Sequence, residues 1–113
     1  MILKHHKDLT IDKWIGFPLY KRMLMIATEF SRANNSITKG NEEEIKDCYE
    51  RALELLDLTI ETVRGNLLGE LLRFREVVAS NYIKEKIDLK ANQNLYNTLI
   101  SLDKDAFNLL VKS

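Results

Sequence analysis

One proline and four glycines are all that punctuate 113 residues. Between them apolar side chains return every three or four positions, the period of a helix face and not of a strand. Leu19, Met23, Ile26, Phe30, Ala33 and Ile37 make the first such face. Pro18 suits its first turn, where a missing N–H has no partner to lose. Asn34-Asn35-Ser36 favours turns, and Thr38-Lys39-Gly40-Asn41 supplies the glycine at which a helix normally terminates. Asn41 then caps a second helix, with Glu42, Glu43 and Glu44 at the positive end of its dipole. Its core stripe is Ile45, Tyr49, Ala52, Leu56, Ile60 and Val63. Cys48, Leu53, Leu55 and Leu58 widen that stripe, which predicts contacts with more than one neighbour.

Arg64-Gly65-Asn66 marks a break, after which Leu68, Leu71, Leu72, Val78, Ala79, Tyr82 and Ile83 form a third stripe. Gly69 inside it fits a close helix crossing. Beyond the polar connection at 84–88, Leu95, Leu99, Leu102, Ala106 and Leu109 form the fourth stripe, flanked by Tyr96, Ile100, Phe107 and Leu110. Short loops between helices favour antiparallel neighbours. The expected fold is all-α, a single domain over 1–113 built as an antiparallel up-and-down four-helix bundle. A short N-terminal helix within 10–15 lays Trp14 across its end, and residues 1–9 are expected to be flexible.

Several function classes fall away. No apolar run approaches the roughly 20 residues of a membrane span, so a cytoplasmic protein with no membrane partner is expected. The single Cys48 cannot make an intramolecular disulfide and reads as a buried structural thiol. No Cys/His spacing closes a zinc site, and the adjacent His5 and His6 read as an ordinary exposed pair. A glycine-rich phosphate loop, a Glu-x-x-His pair for a di-iron bundle and a Ser/His/Asp set are all missing. No catalytic residue, cofactor or metal is therefore expected.

The net charge of zero conceals opposed segments. Residues 1–40 carry a balance of +4, 41–63 one of −6, and 64–90 one of +2. Glu50, Glu54, Asp57 and Glu61 follow helical spacing and form an acidic row beside the apolar stripe. Such a row is a solvated face, or it pairs with Arg73 and Arg75 of the next helix, or it waits for a partner. On the third helix Glu70, Arg73, Arg75 and Glu76 form a dense polar cluster in which Glu70 and Arg73 stand one turn apart. Arg75 falls beside the apolar stripe and needs a carboxylate, which Glu29, Glu50, Glu54 or Asp57 can supply. The network either fixes helix register or offers its arginines to an anion or an RNA phosphate.

The runs Glu29-Phe30-Ser31-Arg32-Ala33, Gly40-Asn41, Glu50 to Ile60 and Arg73-Phe74-Arg75-Glu76-Val77 occur in that order. Over residues 14–110 this pattern resembles a family of small uncharacterised prokaryotic helical proteins. The resemblance implies no activity, but it makes Glu29, Arg32, Glu50, Arg51, Glu54, Asp57, Arg73, Arg75 and Glu76 part of the family pattern. Arg75, followed after five residues by Asn81 and then Tyr82, resembles a degenerate HEPN motif. HEPN domains include RNases and partners of nucleotidyltransferases, and their cleavage needs a His where Asn81 stands. That likeness implies an inactive or repurposed member. Leu19-Tyr20, Gly40-Asn41 and Ala52 are also similar in order to the flagellin export chaperone. The leading expectation is a non-enzymatic interaction protein that forms a homodimer or binds a protein partner.

Overall fold

The computed structural model describes residues 3–104, all of whose regular structure is helical. Five helices follow one another: α1 (Ile11–Ile15), α2 (Leu19–Lys39), α3 (Glu42–Ile60), α4 (Gly65–Tyr82) and α5 (Leu89–Ser101). Ala106, Phe107, Leu109 and Leu110 of the expected fourth stripe lie outside the described residues. Among the described residues no helix is long and apolar enough to cross a membrane.

The helix ends follow local chemistry. Pro18 stands just before α2 as its N-cap. Gly40 ends α2 in the left-handed conformation at φ 72°, its N–H and that of Asn41 returning to the carbonyls of Ile37 and Ser36. Only glycine takes that conformation without steric cost. Asn41 caps α3 by accepting from the Glu44 N–H at 3.2 Å, and Asp88 caps α5 through the Ala91 N–H at 3.1 Å. The expected turn at Asn34-Asn35-Ser36 is absent, and α2 runs through it. The physical reason lies across the core, where the Asn34 side chain is engaged by Asn92 of α5.

Helix α2 is the centre of the packing. It lies along α3 on one side and α5 on the other, while α4 packs against α3 and touches α5 only lightly. Phe30 of α2 meets Tyr49 of α3 and Phe74 of α4 edge-on, with centroids 5.5 and 5.8 Å apart, a favoured aromatic geometry. Asn92, fully buried, accepts from the Tyr49 hydroxyl at 2.8 Å and donates to the Phe30 carbonyl and the Asn34 side chain. A buried amide is tolerable only when its polar atoms are paired in this way. Trp14 of α1 is fully buried, and its indole N–H donates to the Thr59 hydroxyl at 2.8 Å.

Most of the wide apolar surface of α3 is consumed inside the chain: Cys48, Leu55 and Leu58 are buried and Leu53 is half-buried against the core. On α4 the buried residues are Leu71, Phe74, Val78 and Asn81. Leu72 and Ile83, expected in the stripe, are exposed. Gly69 makes no close crossing; a side chain there would meet only the Arg73 guanidinium of its own helix.

Candidate functional site

Two features stand out on this frame: a polar cluster along α3, and an open seam between α4 and α5. In the first, three acids of α3, Asp57, Glu50 and Glu54, have internal partners. Asp57 takes Arg75 of α4 in a two-pronged contact through Nε and Nη2, the latter at 3.2 Å, the geometry that makes Arg–carboxylate pairs strong. Of the carboxylates open to Arg75 from the sequence, the fold selects this one. Glu29 of α2, only 5% exposed, accepts from Arg51 Nε at 3.0 Å. Its second oxygen faces Arg32 at 3.5 Å. Arg32 is largely exposed, so that contact contributes little.

Glu50 and Glu54 are held by a partner that sequence reasoning missed. Residues 3–9, expected to fray, run along α3 with Leu3 buried. Glu50 accepts from Lys4 Nζ at 2.9 Å and from the Tyr82 hydroxyl at 2.6 Å, and His5 Nε2 lies 2.9 Å away. These contacts, the Tyr82 hydrogen bond foremost, pull its carboxyl down to about 2. Glu54 receives the main-chain N–H groups of His5 at 2.9 Å and His6 at 3.2 Å, with His6 Nδ1 at 3.2 Å. The only trace of this in the sequence is the opposition between a basic first third and an acidic second helix. His5, Asp47 and Glu50 thereby bring one donor atom each to within 4.8 Å of one another.

Cys48 is buried, with Arg51 Nη2 at 3.3 Å from its sulfur. Burial pushes its thiol up, which disfavours the reactive thiolate.

The seam between α4 and α5 opens into a cavity of about 500 Å³. Phe74, Leu95 and Leu102 supply apolar lining, Val77 stands half-exposed beside them, and Glu70, Arg73, Asn94 and Thr98 add polar groups. Glu70 and Arg73 share this cavity but form no ion pair with each other among the described residues. Glu76 is exposed elsewhere on α4. The three positions of the HEPN-like motif part company. Arg75 is engaged by Asp57, Asn81 is buried in the wall of the α4–α5 cavity, and Tyr82 bonds Glu50. Compared with protein-family models, curated proteins and solved structures, the chain matches none.

Proposed function

We propose that the protein is a non-enzymatic helical interaction protein, working in the cytoplasm by self-association or as the accessory of a protein partner. Helices α2 to α5 form its antiparallel up-and-down four-helix bundle. The connections at 40–41, 61–64 and 83–88 are short, as such neighbours require. The reading rests on the α4–α5 seam: α3 spends most of its apolar surface internally, whereas α4 and α5 leave an apolar cleft bordered by polar side chains. Such a composition suits a protein contact.

Light scattering across a concentration series tests it, together with a photo-crosslinking side chain at position 77. The expected result is a mass rising above 13.2 kDa, or a protein crosslinked at that surface, with Val77→Asp abolishing either while helicity is kept. A 13.2 kDa species at every concentration with nothing crosslinked overturns it.

A further inference from the structure

The cluster at the start of α3 has the composition of a transition-metal site. We propose that His5 Nε2, Asp47 and Glu50 Oε1 bind one divalent first-row transition ion, with zinc as the representative.

The donors come from two segments, the chain before α1 and one face of α3, where Asp47 and Glu50 stand one turn apart. On a tetrahedral zinc, with Zn–N and Zn–O bonds of about 2.0–2.1 Å, neighbouring donors lie roughly 3.3 Å apart. His5 Nε2 and Glu50 Oε1 are already 2.9 Å apart. Asp47 brings a carboxylate oxygen within 4.8 Å of one donor atom each of His5 and Glu50, close enough for a side-chain rotation to complete the set. The mixture of one imidazole and two carboxylates selects the class of ion. Calcium and magnesium prefer all-oxygen surroundings, whereas imidazole favours zinc and its neighbours.

Supporting contacts fix two of the three donors, Glu50 and His5. The Tyr82 hydroxyl holds Glu50 through Oε2, which leaves Oε1 turned toward His5. Glu54 binds the His5 N–H at 2.9 Å and so anchors the backbone that carries the imidazole. Partners of this kind orient metal ligands and raise their affinity. A cation already stands at the position: the Lys4 ammonium lies 2.9 Å from Glu50 Oε1 on a side chain that is 71% exposed. It can swing into water when a metal displaces it. His6 turns instead to Glu54 and takes no part.

Calorimetric titration of the full chain with zinc chloride, beside thermal melts, tests the assignment. One zinc per chain is expected, and a tenfold excess over Kd raises Tm by about 5 °C, because the ion joins two segments of the folded state. His5→Ala and Asp47→Asn each weaken binding at least tenfold, His6→Ala leaves it within twofold, and Lys4→Met tightens it severalfold. Cobalt in place of zinc gives the visible absorption of a four-coordinate ion. Circular dichroism confirms that each variant is folded. Absence of binding, binding that survives Asp47→Asn, or equal loss in His5→Ala and His6→Ala overturns the proposal, the last outcome marking simple chelation by adjacent histidines.

Discussion

Asn92 is the polar residue on which the core depends most. Its amide satisfies the Tyr49 hydroxyl, the Phe30 carbonyl and the Asn34 side chain at once. Asn92→Ala therefore strands groups from two other helices, and chemical denaturation should show a loss of about 2–4 kcal/mol. Asn34→Ala, at a less buried site, should cost about 1 kcal/mol by the same measurement. Tyr49 and Cys48 add a pH dependence. Burial raises both pKa values above their ordinary ones. The unfolded chain thus releases these protons first, so stability falls as pH rises above about 8.5, where the unfolded thiol ionises, and further above about 10, where the unfolded tyrosine does. Melting curves from pH 7 to 11 should show that decline, and Tyr49→Phe should flatten its upper part while lowering stability at pH 7. In the sequence Tyr49 and Cys48 are visible as core residues from their period. Asn92 is not, because an asparagine in a helical stretch looks like surface until its three partners are known to converge on it.

Among the elements, the ion pairs differ in weight according to exposure. The Asp57–Arg75 contact is about a third exposed on both sides. A double-mutant cycle should therefore return a coupling of only about 0.5–1 kcal/mol despite its two-pronged geometry. Glu29 is nearly buried, and Glu29→Ala leaves Arg51 without its carboxylate. That single change should cost more, about 2–3 kcal/mol. The segment 3–9 acts as a sixth element without regular structure. Deleting residues 1–9 strips its cover from Glu50 and Glu54, and Tm should fall by roughly 5–10 °C in a calorimetric scan. Periodicity makes α2, α3, α4 and α5 legible, and the caps Gly40, Asn41 and Asp88 obey local rules. What escapes is set by distant partners. Asn34-Asn35-Ser36 stays helical because of Asn92, Phe74 enters the core because Phe30 faces it, and the N-terminal segment is ordered by acids more than 40 residues away.

At the scale of the whole molecule, part of the opposed charge of the first third and the second long helix is paired within the chain. Of the acids of α3, Glu50, Glu54 and Asp57 are answered by Lys4, the histidine segment and Arg75, while Arg51 of the same helix answers Glu29 of α2. The radius of gyration, 13.6 Å, is near the roughly 13 Å of a compact domain of this size. The central place of α2 also fixes an order of events in time. It meets α3 across the two residues Gly40 and Asn41, yet its hydrogen bond to α5 spans 62 residues. Closing the short loop costs far less chain entropy, so the α2–α3 hairpin is expected in the folding nucleus and α5 is expected to dock late. In a stopped-flow chevron, Asn92→Ala should then accelerate unfolding while leaving the folding rate within about twofold of wild type. On that expectation, the helix that completes the core is also the first to let go.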